Sequence, residues 1–161
     1  MGVSGCGKST IGALVADAMN IPFLDGGSLH PLANIRKMAA GTPLTDEDRR
    51  PWLEIVGGEL AKASPRGVVI ACSALKHSYR DVIRAKAPDT IFLHLDGTLE
   101  VLSSRLEGRS GHLMSPVLLA TQLAALEPLR AEERAVVIDI SAGITAILTE
   151  AAAGIENALA R

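Results

Sequence analysis

Two spacings of apolar residues divide the chain into helices and strands. In residues 9–19, Ile11, Leu14, Val15 and Ala18 fall on one stripe at helical spacing. Residues 68–72 form a continuous apolar run, which is typical of a strand buried on both faces. The whole pattern predicts helices over residues 9–19, 30–40, 46–63, 78–86, 98–107, 116–126 and 144–159, and strands over residues 21–24, 68–72, 91–95 and 136–140.

The order of these elements predicts the fold class. Short apolar strands that alternate with helices indicate an α/β fold, in which helices cover both faces of a parallel sheet. The 161 residues suit a single domain, residues 1–161, and contain neither a repeat nor a linker. Ligands of such sheets bind at the carboxyl ends of the strands, so the loops there are the first place to look for chemistry.

Composition narrows the function classes. Apolar residues make up 48% of the chain but aromatic residues only 2%, so Leu, Ile, Val and Ala must build the core. The net charge is −2 and basic residues form no stripe, so we expect no nucleic-acid partner. Two cysteines make no disulfide framework, and Cys72 is expected to be a small core residue. Because neither a signal peptide nor an apolar run of about 18 residues is found, we expect no membrane partner and a cytoplasmic protein.

Residues 2–9, GVSGCGKS, match the phosphate-loop pattern of G, four residues and G-K-[ST]. Glycines let the backbone curl so that several N–H groups point at one anion, and the following helix adds its positive end. Lys8 is predicted to reach the β- and γ-phosphates of ATP and Ser9 to bind Mg²⁺. The alternative is a glycine-rich turn that only caps a helix. The predicted nucleotide-binding residues of this segment are Gly2, Val3, Ser4, Gly5, Cys6, Gly7, Lys8, Ser9 and Thr10.

Only Met1 stands before this loop, whereas a phosphate loop follows a buried strand. We therefore expect a P-loop NTPase three-layer sandwich whose first strand is truncated. A form with additional upstream residues is expected to be more stable and to bind ATP more tightly.

A longer series of residues resembles the gluconokinases and extends from Met1 to about Asp139. The resemblance implies a shikimate-kinase-like or adenylate-kinase-like fold, and transfer of phosphate from ATP, with Mg²⁺, to the terminal hydroxyl of gluconate. It also implies a homodimer, since gluconokinases are often homodimers. After the phosphate loop it rests on Asp25-Gly26, Leu29-His30-Pro31, Asn34, Lys37-Met38, Gly41, Pro43-Leu44, DRRPWL at 48–53, CSALK at 72–76, Tyr79-Arg80-Asp81, Arg105, Arg109, Gly111-His112, Gln122 and LEP at 126–128.

Asp25 follows the predicted strand at 21–24. Its carboxylate can bind Mg²⁺ together with Ser9 or accept the proton of the attacking hydroxyl. The predicted catalytic residues are Lys8, Asp25 and Arg109. The alternative for Asp25 is an Asx turn with Gly26. The resembled family has a second acid where this chain has Gly27, so a reduced rate is expected.

Four residues are candidates for the acceptor pocket. Arginine can bind the gluconate carboxylate through two hydrogen bonds, and lysine or histidine can donate to its hydroxyls. The alternatives are a surface ion pair for Arg49, a helix-entry position for His30 and a solvated helix face for Arg80. Trp52 is either a pocket wall or a core residue. The candidates are His30, Arg49, Lys76 and Arg80.

Residues 105–125 lie where such kinases have a lid. Arg105 and Arg109 are predicted to bind nucleotide phosphates on closure, and His112 to contact the acceptor. Gly108 and Gly111 give the segment freedom to hinge. The alternative for Arg105 is a charge on a helix surface.

Three other functions stay open at this point. The chain could phosphorylate another small metabolite, such as shikimate, or bind a nucleotide without turnover. Glycine at position 27 and the single residue before the phosphate loop favour nucleotide binding without turnover. A structural scaffold has only the bland composition in its favour.

Overall fold

The computed structural model describes residues 1–107 and 116–160. Its helices are α1 (Lys8–Ala18), α2 (Leu32–Ala39), α3 (Asp46–Lys62), α4 (His77–Lys86), α5 (Leu99–Glu107), α6 (Pro116–Ala125) and α7 (Ile144–Leu159). Its strands are β1 (Phe23–Asp25), β2 (Val69–Ala71), β3 (Phe92–Asp96) and β4 (Ala135–Asp139). A 3-10 helix covers Gly26–Leu29.

All strand pairs are parallel, as the sequence predicts, but they form two pairs rather than one sheet. Strand β1 pairs with β2, with Leu24 opposite Ile70. Strand β3 pairs with β4, with His94 opposite Val137. Among the described residues no strand precedes the phosphate loop, because the first one, β1, follows α1. The two pairs are therefore separated in the middle of the fold.

Apolar residues pack into two cores, one on each face of the strands. One core joins α1 and α7 to β3 and β4, and includes Val15, Leu95 and Ile155. The other joins α3 and α4 and includes Leu53 and Ile83. Helices thus cover both faces, and the predicted three-layer α/β architecture is confirmed.

The predicted helix over residues 30–40 is shorter than expected. The side chain of Asp25 accepts a hydrogen bond from Gly27 N and caps the 3-10 helix, and α2 begins only after Pro31. Proline fixes φ and has no N–H, so it suits a position next to the first turn of a helix.

Helix α3 extends through a glycine that weakens its propensity. A Cβ at Gly57 would lie 3.0 Å from the Ile83 carbonyl oxygen. The missing side chain therefore allows α3 and α4 to pack closely. Among the described residues, no helix is long and apolar enough to cross a membrane.

Candidate active site

The phosphate loop lies directly before α1, with Gly7 as the N-cap residue at φ 98°. A residue with a side chain is strained at this positive φ, so glycine suits the position. The Lys8 ammonium reaches back over the loop and donates to the Val3 carbonyl at 2.9 Å. The side chains of Val3 and Cys6 are buried in the core, so these residues offer only their backbone to a ligand.

Ser9 and Asp25 meet at the mouth of this loop. The Ser9 hydroxyl donates to Asp25 Oδ2 at 3.3 Å, while Asp25 Oδ1 accepts from Gly27 N at 2.9 Å. The carboxylate therefore makes the Asx-type turn and also faces the phosphate loop, so the turn does not prevent it from reaching a ligand there, and its role toward Mg²⁺ or the acceptor stays a prediction. A hydroxyl and a carboxylate are the hard oxygen ligands that Mg²⁺ prefers, and the pair fits that ion.

Two residues from the region after β3 also reach the loop. Arg105 Nη1 donates to the Cys6 carbonyl at 3.4 Å, and Nη2 donates to the Ile140 carbonyl at 2.5 Å. Gln122 Oε1 accepts from Ser4 N at 2.7 Å. Helices α5 and α6 thus each supply a polar side chain to the nucleotide side of the site.

A polar cluster at the start of α3 and α4 surrounds the ring of Tyr79. Lys76 Nζ is 5.4 Å and the Arg49 guanidinium 5.9 Å from the ring centre. Asp46 accepts from Lys76 at 2.7 Å and from the Tyr79 hydroxyl at 2.5 Å. The hydrogen bond from Lys76, then that from Tyr79, lowers the pKa of Asp46, and the bond to Asp46 raises the pKa of Lys76.

His30 lies beside this cluster, stacked on Trp52 with ring centres 4.2 Å apart. Burial and the nearby Arg49 charge lower the pKa of His30, so its imidazole is neutral at pH 7. Trp52 Nε1 donates to the Gly26 carbonyl at 2.7 Å. This bond connects Trp52 and the His30 ring stacked on it to the turn that holds Asp25.

Comparison with known proteins agrees with this geometry. The shikimate kinase family model matches residues 4–153. The thermosensitive gluconokinase of Escherichia coli K12 is 46% identical over 145 residues, which are 88% of this chain and 77% of that protein. A probable gluconokinase of Xenopus tropicalis is 43% identical over 93% of this chain and 88% of its own length. The chain belongs to the gluconokinase family.

A solved gluconokinase has the same fold. The crystal structure of a gluconokinase from Sinorhizobium meliloti 1021 aligns with a TM-score of 0.85 at 48% identity, and covers 98% of this chain and 89% of that chain. The gluconokinase resemblance and the P-loop kinase fold expected from the sequence are thereby confirmed.

Arg80 requires a correction. Its side chain is fully buried, so the helix-surface alternative is wrong, and its guanidinium bonds to groups other than those of the polar cluster around Tyr79. Nε donates to Glu133 at 2.5 Å, and Nη1 donates to the carbonyls of Ala74 and Leu75. Nη2 lies within hydrogen-bonding distance of His77, Pro128 and Glu133. All five N–H groups of Arg80 are engaged inside the fold, where they hold the loop before Lys76.

The other predicted residues divide into those brought together and those outside the described residues. His30, Arg49 and Lys76 form one cluster, and Thr10 lies exposed on α1. Among the described residues Arg49 forms no ion pair, and its neighbour Asp48 pairs with Lys37 instead. Gly108, Arg109, Gly111 and His112 lie outside the described residues, so both the lid and the roles of these residues in it stay predictions.

Sequence reasoning missed several polar residues of the site. It gave no role to Asp46, Tyr79, Asn34 or Gln122. Tyr79 was detectable, because it stands three residues after Lys76 at the start of a helix. Asn34 is buried and donates to the Asp48 carbonyl at 2.8 Å, a long-range contact with no local signal.

Proposed function

We propose that this chain transfers the γ-phosphoryl group of ATP to the terminal hydroxyl of D-gluconate and yields 6-phospho-D-gluconate. The observation that supports the acceptor most directly is the pair of cations, Arg49 and Lys76, on the ring of Tyr79. Gluconate has one carboxylate and five hydroxyls, and this cluster offers donors for the first and both donors and acceptors for the others.

The nucleotide side supplies positive charge without a strong base. The backbone N–H groups of Gly7, Lys8 and Ser9, at the N-terminus of α1, bind the phosphates, and Lys8 moves its ammonium from the Val3 carbonyl to a phosphate oxygen. Ser9 and Asp25 would hold Mg²⁺, which supplies charge neutralisation on the phosphates when bound. Arg105, and Arg109 and His112 from the lid, complete the site on closure.

The acceptor side orients the sugar acid. Arg49 binds the carboxylate, and Lys76 exchanges part of its contact with Asp46 for the substrate. Neutral His30 accepts or donates one hydrogen bond to a hydroxyl, and Asp46 accepts another. Asp25 Oδ2 takes the proton of the attacking hydroxyl. Because phosphoryl transfer depends mainly on positioning and charge stabilisation, a single acid at Asp25 is sufficient for turnover.

The proposal also covers localisation, oligomeric state and partners. We propose that the enzyme is cytoplasmic, acts as a homodimer on a small-molecule substrate, and has neither a nucleic acid nor a membrane as partner. Size-exclusion chromatography with light scattering would test the dimer independently of activity.

The test is ADP release from Mg-ATP with gluconate, shikimate, glycerate or no acceptor, with Lys8→Ala as the control. We expect turnover with gluconate alone, and its loss in the variant. Turnover with shikimate instead of gluconate would show that the acceptor is shikimate and that the proposed acceptor is wrong. ATP binding without turnover on any acceptor would favour the nucleotide-binding module that Gly27 suggests. Turnover that persists in Lys8→Ala would exclude the phosphate loop as its source.

A further inference from the structure

A buried asparagine side chain contacts His30, the imidazole that the proposed acceptor site combines with Arg49 and Lys76. Asn34 on α2 is only 4% exposed, and its Nδ2 lies 3.2 Å from His30 Nδ1. The same Nδ2 lies 2.8 Å from the Asp48 carbonyl oxygen near the start of α3. A neutral imidazole carries one proton, on either of its nitrogens, so these two contacts decide whether His30 donates or accepts toward a ligand.

The Asp48 carbonyl fixes which way round the Asn34 amide lies. A backbone carbonyl can only accept, so the amide atom that faces it is the NH₂ nitrogen and not the oxygen. An amide NH₂ group has two hydrogens to donate and does not accept. One hydrogen is donated to the Asp48 carbonyl and the other to His30 Nδ1, which is therefore the unprotonated, accepting nitrogen.

Neighbouring contacts keep this amide in position. Lys37, three residues after Asn34 on α2, pairs with the Asp48 carboxylate at 2.7 Å, and that carboxylate also accepts from Thr45 N. The backbone N–H of Asn34 donates to the Pro31 carbonyl at 2.9 Å. These bonds join α2 to α3 around the Asn34 side chain, which is buried and therefore depends on protein groups for its hydrogen bonds.

The ring of His30 is held in place as well as the amide that faces it. It stacks on Trp52 with an interplanar angle of 15°, and Trp52 is itself held by the bond from Nε1 to the Gly26 carbonyl. The stack sets the plane of the imidazole, and the Asn34 amide sets which nitrogen lies on its side. A ring turned over in this plane would place a C–H group against the amide and lose the hydrogen bond.

The groups around His30 favour its neutral form. Burial first, and then the Arg49 charge from α3, lower the pKa of His30. The Asn34 amide acts in the same direction, because protonation of Nδ1 would bring two N–H groups face to face. The Asp48 carboxylate is bonded to Lys37 rather than to the ring. Above its pKa, His30 therefore has its single proton on Nε2.

We propose that Asn34 is a positioning residue that fixes the proton of neutral His30 on Nε2, so that His30 serves the acceptor site as a hydrogen-bond donor. The two ring nitrogens point in diverging directions, so Nε2 faces away from Asn34, and none of the residues that the structure describes bonds to it. A donor here suits an oxygen lone pair of a hydroxyl or carboxylate on the acceptor molecule. The donor role rests on the proposed function, whereas the position of the proton depends on no substrate.

The first experiment locates the proton without a substrate. Long-range proton–nitrogen NMR spectra of the isotope-labelled chain distinguish protonated from unprotonated ring nitrogens, and the His30→Gln variant assigns the His30 signals. Above the His30 pKa, we expect a proton on Nε2 and none on Nδ1. A proton on Nδ1, or the mixture of tautomers found in a free imidazole, would overturn the proposal. Because the parent chain is measured, this result stands even if a variant of Asn34 does not fold.

The variant Asn34→Asp tests the contact itself. A carboxylate accepts where the amide donates, so it should draw the proton of neutral His30 to Nδ1 and raise the pKa of His30 by about one pKa unit or more. The matched control is Asn157→Asp, the same change of charge at an exposed position of α7, which should change neither the tautomer nor the pKa. An unchanged tautomer and pKa in Asn34→Asp would overturn the proposal.

The donor role is tested by the pH dependence of KM for gluconate. In the parent chain, KM is expected to stay level above the His30 pKa, because Nε2 keeps its proton. In Asn34→Asp, KM should rise about tenfold as the pH increases through the raised His30 pKa, because the neutral ring then has no proton on Nε2. The charges of Arg49 and Lys76 are common to both chains, so they do not produce this difference.

Two outcomes separate the donor role from the proposed function. A level KM in Asn34→Asp, measured while the proton lies on Nδ1, would overturn the donor role. Absence of turnover with gluconate in a parent chain that has its proton on Nε2 would refute the proposed function, and the donor role with it, but leave the fixed tautomer standing.

Discussion

At the scale of single residues, the acceptor side is organised around Tyr79. Its hydroxyl and Lys76 share Asp46, while Arg49 approaches the ring without an acidic partner among the described residues. An arginine held over an aromatic ring keeps its in-plane donors for a ligand, because the cation–π contact uses its face. Arg49 is thus the group best prepared to bind a carboxylate.

Arg49→Met is expected to raise KM for gluconate about 10- to 100-fold, the equivalent of one charge-assisted hydrogen-bond pair. KM for ATP should stay unchanged, since Arg49 is not among the residues that contact the phosphate loop. The matched control is Arg50→Met, whose side chain is 72% exposed and pairs with Glu54 on the helix surface. Steady-state kinetics with each substrate varied would check this, and an equal effect of both variants would contradict it.

Gly27 is the second residue whose replacement is informative. A Cβ there would lie 3.1 Å from Asp25 Oδ1, so a side chain at this position enters the space next to the proposed base. Gly27→Asp is expected to raise kcat about tenfold or more, because a second acid can orient the acceptor hydroxyl.

Gly27→Ala adds the same Cβ without a carboxylate and separates the steric effect from the chemical one. Measured kcat should rise only in the aspartate variant. If kcat of neither variant exceeds that of the parent chain, the missing acid is not what limits the rate.

At the scale of elements, a buried ion pair joins α4 to the chain before β4. Arg80 and Glu133 have 0% and 1% exposed side chains and lie 2.5 Å apart. Burial, the largest single influence, would raise the pKa of Glu133, but the hydrogen bonds from Arg80 and from Arg130 N, together with the nearby positive charge, outweigh it and hold that pKa below its usual value. Arg80 also donates to the Ala74 and Leu75 carbonyls, so the pair positions the loop that presents Lys76.

Arg80→Met is expected to destabilise the fold by about 3–5 kcal/mol, because it leaves the Glu133 charge buried and unpaired. Arg84→Met on the same helix should destabilise the fold far less, since Arg84 is partly exposed, pairs with Asp81 at 3.6 Å and donates one long hydrogen bond to the Glu132 carbonyl at 3.4 Å. Urea unfolding measures both.

The double variant Arg80→Met with Glu133→Leu distinguishes the cause. It should recover part of the lost stability, because neither charge then remains. A double variant as unstable as the sum of its parts would show that the two side chains are not coupled.

The same elements show what the sequence can predict. Helix α7 begins and ends where its pattern predicts, because its apolar stripe is local information. The burial of Arg80 was not predictable, because its partner Glu133 stands 53 residues further along the chain and only the fold brings them together. The gathering of His30, Arg49 and Lys76 was predictable only through the family resemblance, since they come from three separate segments.

At the scale of the whole molecule, stability depends on how the two strand pairs are joined. Met1 and Gly2 supply backbone hydrogen bonds to both sides, and one of them comes from a buried ammonium. The fold thus places a titratable group in the middle of its apolar interior.

Stability is expected to fall as the pH is lowered from 8 to 6. The pKa of the Met1 ammonium is about 6 in the folded chain and 8.0 in its ordinary state, so the unfolded chain binds more protons in this range. A shift of two pKa units corresponds to about 2–3 kcal/mol of the free energy of unfolding. This stability is present in full above pH 8 and is lost below pH 6.

Urea unfolding at several pH values, on the free and Nα-acetylated chains, isolates this effect from His30 and His94. The pKa values of both histidines are lowered, so their protonation also destabilises the fold as the pH falls. Because both histidines are present in the free and the acetylated chain, their effect cancels in the difference between the two forms. The difference between the forms should therefore grow as the pH falls. A difference that is constant with pH would exclude the ammonium as its source.

The stack of His30 on Trp52 has a spectroscopic consequence. Trp52 is the only tryptophan of the chain, so indole emission from this protein originates at a single place, the wall of the proposed acceptor pocket. An imidazolium quenches a stacked indole more strongly than a neutral imidazole, so this emission also reports the charge of His30. Titrating gluconate against this intrinsic fluorescence follows acceptor binding with neither a label nor a coupled assay, even in variants that have lost turnover.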